Sequence, residues 1–356
     1  MAIGKLNLSS SPEAGHSDGI WLLVISAKRA MKRLYSIQGK WSRMLSVLTR
    51  RYFADSFAEC LQIYGANVTQ LKAPIGERPS LAQIEEALKA KSYKLITITH
   101  VDTSTGVLSD VKAIGELVQR VSPDTLVIVD GVCSVGCEEI NFTEWGLDVV
   151  LTASQKALGV PPGLSLLLVS PRAIKIFQER KGPETSYFAS WRKWLPIMQA
   201  YESRKPMYFA TPPVQLIYAL NTSLKQILQR PLTDRFAAHK KASKMVKDYI
   251  EKLGLKTLPT SRAESANGMT AVWVPNGVKL ADLLPKIASK QVVFAGGLHK
   301  EIASISHLLI ALANFSAKYF RIGHMGVSVT DAERNDLQKA LDALKTGLSE
   351  VGWSQH

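Results

Sequence analysis

Hydrophobic positions alternate between helical and strand spacing along residues 80–170. Ser80 and Gln83 form the pattern of a capping box, which predicts that a helix begins at Leu81. The run Thr125–Val129 is apolar throughout, as in a parallel strand that is buried on both faces. The predicted elements, in chain order, are the helix Leu81–Ala90, the strand Leu95–Thr99, the helix Val111–Val121 and the strands Thr125–Val129, Asp148–Thr152 and Ser165–Ser170. This alternation predicts an α/β domain with a mainly parallel sheet.

The pattern changes after about residue 230 to that of a smaller α+β unit. Its predicted elements are the helix Arg235–Leu253 and the strands Met269–Val274, Val292–Ala295 and Tyr319–Gly323. Thr330 with Glu333 predicts a second capping box, at the start of a closing helix. We therefore predict three parts: an atypical basic segment at 1–51, a large domain at 52–230 and a small C-terminal domain at 231–356.

The positive charge of the chain is concentrated near its start. The net charge is +14 over 356 residues, and residues 1–52 hold nine lysines and arginines against Glu13 and Asp18, which gives +7 or half of the excess. Because the remaining chain has no basic stripe, the charge does not predict nucleic-acid binding. The span from Gly19 to Ala54 lacks acidic residues, as mitochondrial presequences do, although two acidic residues precede it.

Cysteines and hydropathy exclude several classes of protein. The three cysteines, Cys60, Cys133 and Cys137, form neither a disulfide framework nor a zinc ligand set, which is typical of a reducing compartment. We predict no metal site. No apolar stretch approaches the roughly 18 to 20 residues that cross a bilayer. We therefore expect no membrane segment.

An aspartate and a lysine follow two of the predicted strands. Asp130 comes directly after the strand Thr125–Val129, and Lys156 lies just past the strand Asp148–Thr152. The carboxyl ends of parallel strands line the ligand crevice of an α/β sheet, so both side chains can reach one pocket. An amine and a carboxylate that converge there suit pyridoxal phosphate (PLP). On spacing alone, a helix-capping aspartate and a solvated lysine remain the alternative.

Five sequence segments, found in the same order as in a known family, favour the cofactor site over that alternative. They are Thr99–Gly106, Val129–Gly136, Thr152–Gly163, Met207–Val214 and Tyr319–Gly326. Together they resemble the alanine–glyoxylate (serine–pyruvate) aminotransferases, which are class-V members of the fold-type-I PLP enzymes, and fungal members in particular. The resemblance runs from about Tyr52 to the C-terminus. It implies a large domain with a mainly parallel sheet, a smaller α+β C-terminal domain and PLP as the cofactor.

The resemblance also implies a reaction, an assembly and a set of site residues. The reaction is transamination of L-alanine with glyoxylate to pyruvate and glycine, with serine as an alternative donor, in a peroxisome or mitochondrion, or else in the cytoplasm. The assembly is a homodimer with shared active sites. The site residues are Lys156 for the Schiff base, Asp130 for the pyridine nitrogen, Val132 for a ring face, Thr103 and Gln155 for the polar edge of the cofactor, Tyr208 and Thr211 for the phosphate of the neighbouring subunit, and Arg321 for the substrate carboxylate.

Two segments depart from the family pattern. Relatives carry a Gly/Ser/Thr-rich loop that holds the PLP phosphate and, soon after it, an aromatic residue that stacks on the ring, and residues 1–51 contain no match to either. Residues 304–317 form an atypical insertion where relatives have a short turn. A catalytically impaired or silent family member is therefore an alternative. Another class-V reaction, such as cysteine desulfuration, is a further one.

Overall fold

An eight-stranded sheet forms the centre of the protein. The structure is a computed structural model that describes residues 2–6, 20–26, 43–47, 52–181, 186–298 and 318–354. The strands of the sheet are β1 Ala2–Leu6, β2 Ile20–Ser26, β3 Arg43–Val47, β4 Asn67–Leu71, β5 Leu95–Thr99, β6 Leu126–Asp130, β7 Val149–Ala153 and β8 Leu164–Val169. Their order is β1-β2-β8-β7-β6-β5-β3-β4. The five strands from β7 to β4 are mutually parallel, and β8 runs antiparallel between β7 and β2. The predicted α/β fold with a mainly parallel sheet is confirmed.

Helices cover both faces of this sheet. They are α1 Tyr52–Ile63, α2 Leu81–Ala90, α3 Val111–Val121, α4 Pro171–Glu179, α5 Trp191–Glu202 and α6 Val214–Ile227. The next helix, α7 Leu232–Lys252, packs in the apolar core of the C-terminal unit instead. Strand β6 shows how the two cores divide: Leu126 and Ile128 pack into one apolar cluster, and Val127 and Val129 pack into the other. Alternate residues of a strand point to opposite faces, so a strand that is buried on both faces reads as a continuous apolar run.

The first predicted capping box is present in the structure. The backbone N–H of Gln83 donates to Ser80 Oγ at 3.2 Å, and the backbone N–H of Ser80 donates to Gln83 Oε1 at 2.9 Å. Helix α2 therefore begins at the predicted residue. Helix α3 begins after Asp110, whose Oδ1 accepts from the backbone N–H of Ala113 at 3.0 Å. Such caps satisfy backbone N–H groups that have no partner within the helix.

A three-stranded antiparallel sheet lies in the C-terminal unit, with the strand order β10-β11-β9. The elements of this unit are β9 Met269–Trp273, α8 Leu280–Ala288, β10 Ala295–Gly296, β11 Tyr319–Gly323, α9 Val327–Thr330, a 3-10 turn Ala332–Arg334 and α10 Asp336–Glu350. The strand predicted at Val292–Ala295 is wrong except for its last residue. Gln291 has a left-handed φ of 61°, and Val293 is 88% exposed, so this β-branched stretch lies outside the sheet.

The second predicted capping box is also wrong. Thr330 ends helix α9, and its Oγ1 donates to the carbonyl oxygen of Gly326 at 3.2 Å. Asp331 accepts from the backbone N–H of Glu333 and caps the 3-10 turn instead. The chain then passes through Asn335 with a left-handed φ of 51° before α10 begins. Asparagine tolerates this conformation better than most residues do, so the turn replaces the predicted helix start.

Three stretches of the N-terminal segment contribute to the central sheet. Strands β1, β2 and β3 all lie within residues 1–51, so the boundary predicted at residue 52 falls within one sheet, between β3 and α1. Strand β2 ends at Ser26, which pairs with Leu164 at the edge where β6 and β7 also end. The predicted insertion at 304–317 lies outside the described residues. No helix among those described is both long and apolar enough to cross a membrane.

Candidate active site

A cavity of about 360 Å³ lies at the carboxyl ends of strands β5, β6 and β7. The register pairs Thr99 with Asp130 and Asp130 with Leu151, so the three strand ends lie side by side. This is the edge at which α/β sheets bind ligands, and the volume suits one small cofactor. The cavity is lined by Phe53, Ser56, Phe57, Thr99, Val101, Thr103, Asp130, Val132, Cys133, Leu151, Thr152, Ala153, Gln155, Lys156 and Ser165. Five of the eight predicted site residues are among them.

Asp130 is the carboxylate of the cavity. Its Oδ1 accepts a hydrogen bond from the backbone N–H of Val132 at 3.0 Å. Burial, together with a smaller effect of the nearby Asp102 carboxylate, raises the pKa of Asp130 to about 6 against the opposing effects of that hydrogen bond and of Lys156. Among the described residues, therefore, no cation holds this side chain fully ionised. A protonated ring nitrogen placed beside it would provide that cation.

Lys156 lies in a tight turn between β7 and β8. Ser154, which is fully buried, holds the turn closed: its Oγ donates to the carbonyl oxygen of Pro161 at 2.8 Å and accepts from the backbone N–H of Leu164 at 3.2 Å. The backbone N–H of Gly159 donates to the carbonyl oxygen of Lys156 at 2.9 Å, and Gly159 has a left-handed φ of 67°. The turn thus holds the amine at the same sheet edge as Asp130.

Apolar side chains line the cavity beside these two charged groups. Val132 was predicted from the sequence, and Phe53 was missed because no strand was predicted before helix α1. Phe53, Ser56 and Phe57 share one face of helix α1 and line the cavity together. A helix that follows a parallel strand begins at the ligand edge of the sheet, so an aromatic residue in its first turn is the signal that could have identified Phe53.

Thr103 connects the cavity to the C-terminal unit. Its Oγ1 lies 2.8 Å from Cys133 Sγ, and its carbonyl oxygen accepts from Arg321 Nη1 at 3.2 Å. Arg321 also donates from Nε to the carbonyl oxygen of Gly296 at 2.9 Å. The guanidinium does not line the cavity itself, but it contacts a residue that does. Two backbone carbonyls thus orient the predicted carboxylate-binding arginine.

A buried turn fixes the position of Thr103. Asp102 is fully buried and accepts three hydrogen bonds, from the backbone N–H and Oγ of Ser104 and from Thr105 Oγ1. The backbone N–H of Gly106 donates to the carbonyl oxygen of Asp102 at 2.7 Å. Such a dense set of hydrogen bonds compensates for the burial of the Asp102 charge. It also makes the Thr103 backbone a rigid partner for Arg321.

Tyr208 and Thr211 lie apart from the cavity. Tyr208 is 74% exposed, and its hydroxyl lies 2.9 Å from Thr211 Oγ1. Neither side chain lines the cavity of its own chain. An exposed hydroxyl pair agrees with a site on a neighbouring subunit, which is the role that the resemblance implies. That role stays a prediction.

Other titratable residues near the cavity have structural roles. His100 is buried, and its backbone N–H donates to the carbonyl oxygen of Asp130 at 3.0 Å, which joins the ends of β5 and β6. Burial lowers the pKa of His100 to about 4, so its side chain is neutral at physiological pH. Among the described residues, no group of three or more His, Cys, Asp or Glu side chains could hold a metal ion.

Comparison with known proteins identifies the family. A family model described as class-V aminotransferase matches residues 56–335. The alanine–glyoxylate aminotransferase 1 of Saccharomyces cerevisiae is 43% identical to this chain, covering 85% of it and 76% of the yeast protein. The serine–glyoxylate aminotransferase of Arabidopsis thaliana is 30% identical, covering 81% of this chain and 67% of the plant protein.

Solved structures agree with that assignment. The alanine–glyoxylate aminotransferase of a Nostoc species has a TM-score of 0.79 at 25% identity, covering 92% of this chain and 81% of that one. The pyridoxamine–pyruvate aminotransferase of Mesorhizobium loti has a TM-score of 0.81 at 24% identity, covering 95% and 81%. These findings confirm the resemblance read from the five sequence segments. The chain is an aminotransferase and belongs to the class-V aminotransferase family, which implies PLP as its cofactor.

Proposed function

We propose that this protein transaminates L-alanine with glyoxylate, giving pyruvate and glycine, and that it also accepts serine as the amino donor. The observation that carries the proposal is the convergence of Lys156 and Asp130 on one cavity at adjacent strand ends. The names of the yeast and Nostoc relatives support alanine and glyoxylate as the substrates. The plant relative supports serine as a donor.

The residues of the cavity fit PLP. Lys156 offers an amine for the cofactor aldehyde, and Asp130 offers a carboxylate that lacks a strong cationic partner until a protonated ring nitrogen provides one. Val132 and Phe53 offer apolar surface for the two ring faces, and Thr103 and Gln155 offer polar groups at the edge. When bound, the cofactor supplies an electron sink that stabilises the carbanion left after the substrate Cα proton departs.

The remaining tasks fall to side chains of this chain. Lys156 Nζ is the base for the proton at the substrate Cα. Asp130 keeps the proton on the ring nitrogen in place, because an ionised carboxylate favours the protonated form of a neighbouring base. Arg321 orients the substrate carboxylate, for which its planar guanidinium offers two parallel N–H donors. Its hydrogen bond to the Thr103 carbonyl holds this guanidinium at the cavity wall.

A homodimer with shared sites is part of the proposal. Large aromatic side chains are exposed between residues 187 and 218, namely Tyr187 at 61%, Phe188 at 48%, Tyr201 at 41%, Tyr208 at 74% and Tyr218 at 69%. Exposed aromatic groups of this kind typically mark a protein interface. Tyr208 and Thr211 lie within this surface, so in a dimer their hydroxyls would reach the phosphate of the cofactor in the neighbouring subunit. Sedimentation velocity tests this: a monomer at micromolar concentration would contradict it.

We further propose a peroxisomal or mitochondrial location. The acid-free span from Gly19 to Ala54 contains strands β2 and β3 of the central sheet. A presequence cleaved after this span would remove both strands, so targeting has to leave the span in place. Fluorescent tagging at either terminus with organelle markers tests the location, and a purely cytosolic signal would contradict it.

Cysteine desulfuration is a weaker candidate. That chemistry needs a nucleophilic cysteine on an exposed loop. Cys133 and Cys137 are 2% and 1% exposed, and burial raises the pKa of both thiols. Buried thiols with a raised pKa are poor nucleophiles, so neither cysteine suits this reaction.

The decisive test is Lys156→Ala. In the unaltered protein, we expect added PLP to give visible absorbance, and alanine and glyoxylate to be consumed in separate half-reactions. The variant is expected to lose both, because Lys156 carries the one amine among the described residues that line the cavity. Lys345→Ala, which alters an exposed lysine on helix α10, is the matched control and should retain both. Visible absorbance that survives in Lys156→Ala would refute the assignment. An unaltered protein that shows no absorbance would favour the silent alternative, and release of sulfide from cysteine would favour desulfuration.

A further inference from the structure

A buried carboxylate joins the two halves of the molecule at a distance from the cavity. Glu138 follows β6 in the large unit and is 6% exposed. It accepts hydrogen bonds from the backbone N–H of Asn267 and, at 2.6 Å, from Asn267 Nδ2. Asn267 lies two residues before β9 of the small sheet. The two residues are 129 positions apart, so this contact fixes tertiary rather than local structure.

Asn267 in turn joins the first residues of β9 to the end of β11. Its carbonyl oxygen lies 3.0 Å from Nδ1 of the buried His324, and His324 Nε2 lies 2.8 Å from Thr270 Oγ1. Burial lowers the pKa of His324 to about 3, so the ring is neutral and carries one proton. That proton lies on Nδ1, because a carbonyl oxygen can only accept, and Nε2 then accepts from the Thr270 hydroxyl. The backbone N–H of His324 also donates to the carbonyl oxygen of Gly268 at 2.9 Å.

Arg321 lies on the same small sheet, close to this turn. Strand β11 pairs Arg321 with Ala271 and Gly323 with Met269. The small sheet therefore contacts the large unit at several places, among them Arg321 at the Thr103 carbonyl and Asn267 at Glu138. Without the contact at Glu138, β9 and β11 lose one of the constraints that set the position of Arg321 relative to the cavity.

The negative charge of Glu138 contributes to its contact with Asn267, in addition to the shape of the side chain. Both hydrogen bonds from Asn267 need acceptors, and an ionised carboxylate offers only acceptors. The buried ammonium of Lys247 lies nearby and donates to Ser243 Oγ and to the carbonyl oxygen of Ala266, both at 2.7 Å. Burial raises the pKa of Glu138, and the hydrogen bonds from Asn267 and the charge of Lys247 oppose that rise. The turn before β9 thus presents both donors to this carboxylate, and helix α7 presents the cation.

We propose that Glu138 is a positioning residue for substrate binding: its carboxylate fixes the Asn267 turn and so holds the strand that carries Arg321 in register with the cofactor cavity. The inference rests on the proposed function, in which Arg321 binds the substrate carboxylate. Glu138 does not line the cavity, so it acts only through Asn267 and the small sheet.

The test separates substrate binding from cofactor binding. We compare Glu138→Ala and Glu138→Gln with Glu139→Gln, a matched control that neutralises the adjacent, exposed carboxylate. PLP affinity is measured by absorbance titration. Carboxylate affinity is measured by calorimetry, with propionate as a non-reactive probe added to the PLP-loaded protein.

Glu138→Ala is expected to weaken propionate binding and raise the KM for alanine and glyoxylate about tenfold, with the PLP dissociation constant changed less than about twofold. Glu138→Gln should lie between Glu138→Ala and the unaltered protein, and the control should match the unaltered protein.

A double-mutant cycle with Asn267→Ala makes the inference sharper. Because both residues act through one contact, Asn267→Ala should add little to the effect of Glu138→Ala on propionate affinity. Three outcomes would each overturn the positioning role. They are additive effects of the two substitutions, an unchanged propionate affinity in Glu138→Ala, and equal losses of PLP and propionate affinity in that variant. If Glu138→Ala fails to fold, Glu138→Gln and Asn267→Ala carry the same comparison. Arg321→Lys is measured in the same assay. If Arg321→Lys weakens propionate binding and Glu138→Ala does not, the positioning role of Glu138 is refuted but the proposed function is not. Unchanged propionate binding in Arg321→Lys defeats the proposed function, and the inference falls with it.

Discussion

The guanidinium of Arg321 donates from Nη1 to the carbonyl oxygen of Thr103 at 3.2 Å, across 218 residues of sequence. Thr103 lines the cavity, and Asp102 and its hydrogen-bonded turn hold it in place. Arg321 is therefore anchored on the cofactor side by a backbone atom rather than by a mobile side chain. A substrate carboxylate bound there would lie between the small sheet and the cavity.

Arg321→Lys should impair substrate binding much more than cofactor binding. A lysine ammonium keeps the charge but loses the paired N–H donors, and its shorter reach breaks the contacts with Gly296 and Thr103. A lost charge-assisted hydrogen bond costs about 1.5 to 3 kcal/mol, so KM for alanine and glyoxylate should rise about 10- to 100-fold. Steady-state kinetics with both substrates, together with PLP titration, check this. A PLP affinity that falls as far as the substrate affinity would assign Arg321 to the cofactor instead.

Phe53→Ala should weaken PLP binding without unfolding the protein. Phe53 is 39% exposed and lines the cavity from the first turn of α1, so its removal costs ring contact rather than core packing. Aromatic pairs contribute about 0.5 to 1.5 kcal/mol beyond their buried area, which predicts a rise of roughly 2- to 10-fold in the PLP dissociation constant. Phe53→Tyr keeps the ring and should bind PLP normally. If the alanine variant binds PLP as tightly as the tyrosine variant, Phe53 does not contact the cofactor.

The sequence predicted the parts of the site that follow from local pattern. The apolar run of β6 identified a buried parallel strand, and the rule for strand ends then placed Asp130 and Lys156 on one cavity. Phe53 was missed because no strand was predicted before residue 80, although β3 precedes α1. The contact between Glu138 and Asn267 joins residues that no local periodicity connects. Such contacts depend on how the two sheets pack, which a pattern along the chain does not encode.

Asp130→Asn should stabilise the cofactor-free protein at high pH. Burial raises the pKa of Asp130 from its ordinary 3.8 to about 6, so the folded state disfavours the ionised form. The resulting destabilisation is absent below the unfolded pKa, grows as the pH rises from about 4 to about 6 and is complete above that. The unfolding midpoint of the variant should therefore exceed that of the unaltered protein at pH 8, and the gain should shrink as the pH falls towards 4.

Added PLP should oppose the stabilising effect of Asp130→Asn. With PLP present, the ionised Asp130 gains a cationic partner, so at pH 8 the unaltered protein should gain more thermal stability from PLP than Asp130→Asn does. Thermal unfolding with and without PLP, at pH values from 5 to 8, measures both effects. A PLP-induced gain in Asp130→Asn as large as in the unaltered protein would show that this carboxylate does not meet the ring nitrogen.

Replacing residues 27–42 with a Gly/Ser/Thr-rich loop and helix start of the family type should tighten PLP binding. Strand β2 ends at Ser26 opposite Leu164, so the chain leaves the sheet at the edge that holds the cavity. Residues 27–42 contain three lysines and two arginines but a single glycine, a composition that does not predict the glycine-rich helix start whose backbone N–H groups hold a phosphate. The exchange leaves strands β2 and β3 intact, so the central sheet is preserved.

Each fixed donor to the phosphate is worth about 1.5 to 3 kcal/mol, so a single such donor should lower the PLP dissociation constant about 10- to 100-fold. At a fixed PLP concentration well above the dissociation constant, a tenfold tighter complex adds about 1.4 kcal/mol of stability, so the PLP-induced rise in Tm should grow as well. The control replaces the same residues with a polar linker of equal length that lacks glycine. Equal dissociation constants and equal Tm shifts for the unaltered chain and the glycine-rich exchange would show that residues 27–42 already hold the phosphate. The departure from the family pattern would then be a different solution to the same binding problem, and the silent alternative would lose its main support.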